Sequence, residues 1–220
     1  MTLTNDAIEL GTCGPTCDFE EEARTRGYRR VAGLDEAGRG PLAGPVVGAA
    51  VIVPRRFSLR NLDDSKKVSP AEREALFSVI TESATAWGIG VASETEIDSL
   101  NVLRATWLAW QRAIKQLRIP PDFLLIDGHL GADLFIPHRS VIHGDRLSSS
   151  IAAASILAKV FRDRIMCEYH RRDPRYRFHI HKGYPTPEHL RLLHQFGPSS
   201  VHRHSFGPVQ RCLTTRQEDA

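Results

Sequence analysis

Residues 28–53 read YRRVAGLDEAGRGPLAGPVVGAAVIV, two apolar segments joined by a turn rich in glycine and proline. The first segment, 28–37, ends at the glycine-rich turn, which is typical of a strand. The second, 46–53, is interrupted only by Gly48 and is followed by a proline. It is too short for a buried helix and favours a buried strand. The stretch therefore predicts two strands, with the carboxylates of Asp35 and Glu36 inside the first.

Strands and helices alternate after this stretch. The clearest helix start is at Ser69, a capping serine followed by Pro70 and, three positions after the cap, by Glu72. We expect this helix to continue to Trp87. The other predicted elements are a strand at 88–93, a helical stretch that begins at 93–98, restarts at 101 and runs to the prolines at 120–121, a strand at 122–128, a short strand at 141–143, a helix at 148–171 and a short helix after residue 186. This order predicts an α/β fold with a mixed sheet.

Composition limits the class of protein. The chain has 220 residues, 41% of them apolar and 25% charged, as in one ordinary globular domain. No apolar run approaches the roughly 18 residues of a membrane-spanning helix, and no secretory signal is visible. Four scattered cysteines do not form a disulfide framework, which favours a reducing cytoplasm. We expect a disordered acidic tail at 1–26 with at most one short turn, a domain at 27–209 and a polar tail at 210–220.

Four acidic residues stand in apolar surroundings or at the ends of elements. Asp35 and Glu36 lie in the first strand, Asp127 ends FLLID, and Asp145 precedes the long helix. Uncompensated burial of charge is costly, so such placements are rarely accidental. Carboxylate oxygens suit Mg²⁺ or Mn²⁺, and two such ions about 3.5–4 Å apart promote phosphodiester hydrolysis. The alternative is that these four residues never meet in space.

The neighbouring positions of Asp35 and Glu36 raise a geometric question. Adjacent residues of a regular strand point to opposite faces of the sheet. Either a β-bulge lies at this point, or Glu36 contributes less directly, for example through its backbone carbonyl.

The turn after the first strand contains Gly38, Arg39 and Gly40. Glycines on both sides of an arginine let backbone N–H groups approach a phosphate or a sugar hydroxyl closely. The same residues also suit an ordinary tight turn. A dinucleotide-binding loop is excluded, because the spacing is G-x-G-x-x-x-G and a strand follows.

Positive charge is concentrated at 159–182, where eight basic residues stand against three acidic ones, while 1–24 has a net charge of −5. The basic stretch indicates an anionic partner such as nucleic acid, or a solvated helix face. At its end, Lys182 and Tyr184 combine a cation with a ring that can pack on a sugar or a base. No cysteine or histidine set has the spacing of a structural zinc site.

Taken together, these segments resemble the bacterial ribonuclease HII family. The similarity rests on AGLDEAGRGPLAGPVVGAAVI (32–52), DSKKVSPAERE (64–74), LLIDG (124–128), GDRLSSSIAAASILAKVFRDR (144–164), HIHKGYPTPEHL (179–190) and HRHSF (202–206). These stretches span most of residues 28–209. DEAGRGPLAGPV and SIAAASILAKVFRD are long and specific, which excludes chance similarity.

The resemblance implies a ribonuclease H-like fold, a central mixed sheet flanked by helices with a small C-terminal helical portion. It implies cleavage of RNA in RNA–DNA hybrids, dependent on Mn²⁺ or Mg²⁺. It also implies incision 5′ of a single ribonucleotide embedded in duplex DNA, leaving a 3′-hydroxyl and a 5′-phosphate. Such an activity would initiate removal of ribonucleotides from DNA.

The resemblance also implies roles for individual residues. Asp35, Glu36, Asp127 and Asp145 would form the catalytic, metal-binding cluster. Gly38, Arg39 and Gly40 would contact the phosphate and the ribose 2′-hydroxyl through the turn. Tyr184 would pack against the neighbouring deoxyribose and help to test the RNA–DNA junction.

Basic residues of the long helix and the following loop are expected to attract phosphates, namely Lys159, Arg162, Arg164 and Lys182. Lys159 and Asp163 are spaced as an i, i+4 ion pair. We expect a monomer. Two alternatives are a catalytically silent nucleic-acid-binding module, and a different metal nuclease on the same fold that cuts all-DNA or branched substrates and needs no 2′-hydroxyl.

Overall fold

The computed structural model describes residues 14–55, 57, 68–128 and 134–218. Five strands form one sheet: β1 (Val31–Ala37), β2 (Val46–Ile52), β3 (Ala86–Ala92), β4 (Phe123–Asp127) and β5 (His138–Val141). The helices are α1 (Asp18–Thr25), α2 (Pro70–Ser83), α3 (Glu94–Leu100), α4 (Val102–Gln116), α5 (Gly144–Leu147), α6 (Ser149–Arg172), α7 (Phe178–His181), α8 (Pro187–Phe196) and α9 (Gly207–Glu218). A 3₁₀ turn covers Pro174–Tyr176.

The sheet is mixed, as the sequence predicts. Its strand order is β3-β2-β1-β4-β5. The pairs β1–β2 and β2–β3 are antiparallel, whereas β1–β4 and β4–β5 are parallel. The parallel pairing brings the carboxyl ends of β1 and β4 to the same edge of the sheet.

Helices cover both faces of the sheet, with α6 on one face and α4 on the other. Every residue of β2 is buried, which explains why its sequence is apolar without alternation. On the α6 face, a Cβ on Gly33 would lie 2.2 Å from the backbone carbon of Ser150. The small residues of α6 therefore permit the close packing that fixes this helix beside β1.

The predicted start of α2 is confirmed. Ser69 and Glu72 form a capping box, and Pro70 is the first helical residue. The helix ends at Ser83 rather than at Trp87, because Trp87 lies in β3 and pairs with Val51 of β2. Residues 64–67 of the quoted DSKKVSPAERE stretch lie outside the described residues.

The expectation of a disordered tail at 1–26 is corrected for its last part. Residues Asp18–Thr25 form α1, and Ala23 is buried beside Val31 and Phe123. The carboxylate of Glu20 is buried at the N-terminus of α6. It accepts hydrogen bonds from Ser148 Oγ at 2.7 Å and from the Ser150 N–H at 2.8 Å. This stretch therefore belongs to the folded domain, and residues 1–13 lie outside the description.

The polar tail expected from residue 210 is also corrected, since α9 covers Gly207–Glu218. Val209 at its start is buried with Leu42 and Leu193, so α9 is anchored to the C-terminal helical portion. None of the helices within the described ranges has both the length and the apolar character that crossing a bilayer requires.

Candidate active site

A cleft of about 400 Å³ opens at the sheet edge where β1 and β4 end. It brings together all four predicted carboxylates, the predicted glycine turn and the predicted tyrosine. The residues that line it are Asp35, Glu36, Ala37, Gly38, Arg39, Gly40, Asp127, Asp145, Ser155, Lys159 and Tyr184. Parallel pairing of β1 with β4 places Asp35 and Asp127 at the same edge, although 92 positions separate them in the chain.

Asp35 lies on the α6 face of β1 and is 7% exposed. Its Oδ1 accepts the Glu36 N–H at 2.7 Å, and its side chain also bonds to Ser155 of α6. Burial raises the pKa of Asp35 well above its usual range, and the neighbouring charges of Glu36 and Asp127 raise it further. The carboxylate is therefore held where its own charge is disfavoured.

Glu36 lies on a regular part of the strand, so the β-bulge alternative is wrong. The register of β1 with β2 runs without interruption from Gly33 to Ala37. Pairing of β1 with β4 ends earlier, at Leu34 opposite Ile126, so Glu36 lies past the paired part of β4 and lines the cleft. Its Oε1 accepts a hydrogen bond from Arg39 Nη1 at 3.3 Å. Burial raises the pKa of Glu36 to about 7, against the opposing effect of Arg39.

Asp127 connects β4 to the short helix α5. Its Oδ1 accepts the Gly144 N–H at 2.7 Å and the Asp145 N–H at 3.4 Å. Asp145 is itself buried, with 6% exposure. The carboxylate at the end of β4 therefore fixes the backbone that presents Asp145 to the cleft.

The donor set of the cleft fits a hard divalent cation. Glu36 Oε2 is buried and has no hydrogen-bond partner within the described residues. Together with the raised pKa values of Asp35 and Glu36, this shows that the single contact with Arg39 does not offset the burial of these carboxylates. In the described part of the chain, no three Asp, Glu, His or Cys side chains already converge as a metal-ligand set. The carboxylates would therefore have to draw together around a bound ion.

The turn and the tyrosine face each other across the mouth of the cleft. Gly38 has φ = +101°, a conformation that favours glycine. A Cβ on Gly40 would lie 3.8 Å from Tyr184 Cε1, so the turn and the ring are in contact range. Tyr184 is 44% exposed, which leaves part of its ring open to a ligand.

Three of the basic residues that are predicted to attract phosphates lie in the cleft or in a groove beside it. Lys159 lines the cleft and forms the expected ion pair with Asp163, at 2.5 Å. Lys159 and Lys182 also line an adjoining groove of about 460 Å³. Arg164 lies in that groove and pairs with Glu74. Lys182 Nζ donates to the carbonyl of His179.

The prediction for Arg162 is wrong. Its side chain is 1% exposed and donates to the carbonyls of Pro45, Ala43 and Lys182. The carbonyls of Pro45 and Ala43 lie 117 and 119 positions away in the chain, so the helix pattern alone does not reveal them. From the sequence alone, a basic residue in a helix is expected to be exposed to solvent.

Sequence reasoning missed two further residues of the site. Ser155 forms a hydrogen bond with Asp35. In the sequence it is only one of several small residues of α6, which indicates close packing and no role in the site. Arg203, which is fully buried, donates to the carbonyls of Gly38 and Arg39 in the turn. Its only signal was its place in the quoted HRHSF stretch.

Comparison with known proteins agrees with the fold and with the motifs. The family model for Ribonuclease HII matches residues 32–209. Ribonuclease HII from Geotalea uraniireducens is 48% identical over 200 residues, which is 91% of this chain and 93% of that protein. Ribonuclease HII from Geobacter sulfurreducens is 50% identical over 196 residues, covering 89% and 90% of the two chains.

Solved structures share the fold at lower identity. Ribonuclease H2 from Pyrococcus horikoshii OT3 has a TM-score of 0.72 at 24% identity, covering 86% of this chain and 100% of that one. Bst-RNase HIII in complex with Mn²⁺ has a TM-score of 0.68 at 17% identity, covering 89% and 73%. The match of the family model over most of the chain, together with relatives near 50% identity, shows that this chain belongs to the ribonuclease HII family and is a ribonuclease H of type HII.

Proposed function

We propose that this enzyme cleaves RNA in RNA–DNA hybrids and incises duplex DNA on the 5′ side of a single embedded ribonucleotide, using Mn²⁺ or Mg²⁺. The products are a 3′-hydroxyl and a 5′-phosphate, and the incision starts removal of the ribonucleotide from DNA. We further propose that the enzyme acts as a cytoplasmic monomer.

One observation supports this function above the others. The glycine turn, the four carboxylates and a half-exposed tyrosine line one cleft. The 2′-hydroxyl is the group that distinguishes RNA from DNA at a given nucleotide. Backbone N–H groups of a turn can bind that hydroxyl and the adjacent phosphate without contacting the base. Such a site selects the sugar rather than the sequence.

Each group in the cleft has a role in this proposal. Asp35, Glu36, Asp127 and Asp145 would hold one or two divalent cations. When bound, the cations would supply the Lewis acidity that activates a water and stabilises the leaving oxygen.

The remaining groups position the substrate. The turn of Gly38, Arg39 and Gly40 would hold the phosphate and the 2′-hydroxyl, and the Tyr184 ring would pack on the next deoxyribose. Lys159 and Lys182 would attract phosphates. Recognition of the hydroxyl then aligns the scissile phosphate with the carboxylates, so an all-DNA phosphate is bound but poorly cut.

A cleavage assay on two labelled duplexes tests this function. One duplex is all DNA, and the other differs by a single embedded ribonucleotide. Each is incubated with Mg²⁺, Mn²⁺ or a chelator, beside an Asp127→Asn control. We expect a single metal-dependent nick 5′ of the ribonucleotide, absent from the all-DNA duplex and from the control.

Two other outcomes would support the alternatives. Equal cutting of both duplexes would indicate a general metal nuclease that does not need the 2′-hydroxyl. Binding without cutting under every metal condition would indicate a silent nucleic-acid-binding module.

A further inference from the structure

Two buried arginines lie behind the glycine turn. Arg203 is fully buried and Arg162 is 1% exposed. Among the described residues, no carboxylate forms an ion pair with either guanidinium. Burial of an unpaired cation is costly unless its N–H groups are satisfied. The groups that satisfy these two side chains are backbone carbonyls, and most of those carbonyls belong to the loop between β1 and β2.

Arg203 binds three carbonyls of that loop. Its Nε donates to Gly44 at 2.8 Å, its Nη1 to Arg39 at 3.0 Å and its Nη2 to Gly38 at 2.5 Å. The guanidinium thus fixes the carbonyl groups of two successive peptides of the turn. It also fixes the Gly44 carbonyl near the end of the loop.

The orientation of these peptides determines where their N–H groups point. No peptide in the described ranges is cis, and across a trans peptide the C=O of one residue and the N–H of the next point in opposite directions. Since the carbonyls of Gly38 and Arg39 point at Arg203, the N–H groups of Arg39 and Gly40 point away from it. Gly38, Arg39 and Gly40 line the cleft. Arg203 therefore aims two N–H donors toward the cleft.

Arg162 connects the turn to the loop that contains Tyr184. It donates to Ala43 at 3.1 Å and Pro45 at 3.0 Å on one side, and to Lys182 at 3.0 Å on the other. Its guanidinium carbon also lies 5.9 Å from the centre of the Tyr184 ring, within cation–π range. A Cβ on Gly38 would lie 2.1 Å from Arg162 Nε, so the turn packs directly on this side chain.

We propose that Arg203 and Arg162 are positioning residues for ribonucleotide discrimination: Arg203 aims the N–H groups of the turn, and Arg162 fixes the distance between the turn and Tyr184. This inference rests on the proposed function of the cleft. A lysine could not replace either residue, because one ammonium group cannot reproduce the planar fork that bonds three separate carbonyls.

The two cations also contribute charge. Burial and the neighbouring Arg162 lower the pKa of Arg203 to about 9, so it stays protonated at neutral pH. The buried Glu94 is the carboxylate that acts on both guanidinium groups at longer range. The two guanidinium groups therefore place positive charge behind the turn. A substrate phosphate would lie on the other side of the turn, in the cleft.

The test compares full-length Arg203→Lys and Arg162→Lys variants, each combined with Asp127→Asn to prevent cutting. Fluorescence anisotropy with Mg²⁺ gives the Kd for the ribonucleotide duplex and for the matched all-DNA duplex. The ratio of the two Kd values measures discrimination. Tyr184→Ala serves as a reference for loss of the junction contact. Arg112→Lys is the matched control, because Arg112 also donates to a carbonyl, that of Val91, but does not line the cleft.

We expect both lysine variants to reduce the discrimination ratio at least fivefold, while the Kd for all-DNA duplex changes less than twofold. Hydrogen exchange should become faster in 38–45 and 182–184, and stay unchanged in the Arg112→Lys control. Thermal denaturation confirms that each variant is folded at the assay temperature.

The proposal is overturned if folded lysine variants keep the parent ratio within twofold, or if both affinities fall by the same factor. A merely structural role would produce the second pattern. Failure of the proposed function itself is distinguishable, because the unsubstituted enzyme would then neither nick nor prefer the ribonucleotide duplex before any arginine is changed.

Discussion

Asp35 is buried beside two residues of like charge, and this placement lowers the stability of the folded state. Its carboxylate is enclosed by β1 and α6, and burial, Glu36 and Asp127 all raise its pKa. A carboxyl group whose pKa is higher in the folded state than in the unfolded state destabilises the fold once both states are ionised. The site therefore holds electrostatic repulsion that a bound cation would relieve.

Asp35→Asn should accordingly stabilise the metal-free protein while abolishing cleavage. At pH 8 with chelator, removing the buried charge should add roughly 1–2 kcal/mol, or about 3–6 °C in Tm. Differential scanning fluorimetry measures the change. The control is Asp98→Asn, since Asp98 accepts hydrogen bonds from the backbone of His204 and Ser205 outside the cleft and its loss should lower Tm. A lower Tm for Asp35→Asn would contradict this account.

At the scale of elements, one carboxylate of α1 bonds to the start of α6. Glu20 accepts from the hydroxyl of Ser148, the N-cap of α6, and from a backbone N–H in the first turn of α6. An acidic group at a helix N-terminus also interacts favourably with the helix dipole. This contact ties the N-terminal helix to the start of the helix that bears Ser155 and Lys159.

Glu20→Ala should therefore destabilise the protein by about 1–3 kcal/mol, because it leaves a buried N–H and a buried hydroxyl without their acceptor. Glu22→Ala is the matched control in the same helix, since the Glu22 carboxylate forms surface ion pairs with Arg26 and Arg139 and such pairs contribute little. Urea unfolding followed by circular dichroism compares the two. Equal midpoints for the two variants would show that the contact of Glu20 with α6 does not stabilise the domain.

At the scale of the whole molecule, a chain of histidines joins the C-terminal helices to the Tyr184 loop. The Ser199 N–H donates to His202 Nδ1 at 2.9 Å, the Nε2 atoms of His202 and His189 lie 3.1 Å apart, and His189 Nδ1 lies 2.9 Å from the Tyr184 carbonyl. These contacts are satisfied when both rings are neutral, with His202 donating to His189 and His189 donating to Tyr184.

This arrangement makes stability sensitive to acid. Burial lowers the pKa of His189 to about 4 and that of His202 to about 3, whereas both side chains titrate near 6.5 in the unfolded chain. Below pH 6.5 these two histidines bind protons in the unfolded chain but not in the folded chain, so their contribution to stability falls as pH falls from about 6.5 toward 4.

Between pH 7.5 and pH 4.5 each of the two histidines should lower the stability by roughly 2–3 kcal/mol. Protonation of Asp35 and Glu36, whose pKa values are raised in the folded state, opposes this loss over the same range, so the histidine effect is read from the variants. In His202→Gln the difference, Tm at pH 4.5 minus Tm at pH 7.5, should be more positive than in the parent. In His204→Gln, which changes an exposed ring nearby, it should match the parent. An unchanged difference in His202→Gln would show that the network does not cause the acid sensitivity.

Local sequence signals predicted the elements and several contacts of the site. The capping box at Ser69, the apolar run of β2, the small residues of α6 and the Lys159–Asp163 spacing each depend on residues close in sequence, and the structure contains all of them. The carboxylates of the site could likewise be predicted, because charged residues inside apolar segments or just before a helix can be identified from the sequence alone.

The tertiary structure alone decided which polar groups are buried and what satisfies them. The local sequence places Glu20 in a polar tail, yet its partner Ser148 is 128 positions away. The local sequence predicts that Arg162 attracts phosphates, yet Arg162 bonds carbonyls 117 and 119 positions away. Arg203 likewise bonds the turn across 165 positions. Local propensity depends on neighbours within a few residues, whereas the cost of burying a charge depends on whichever groups the fold brings to it.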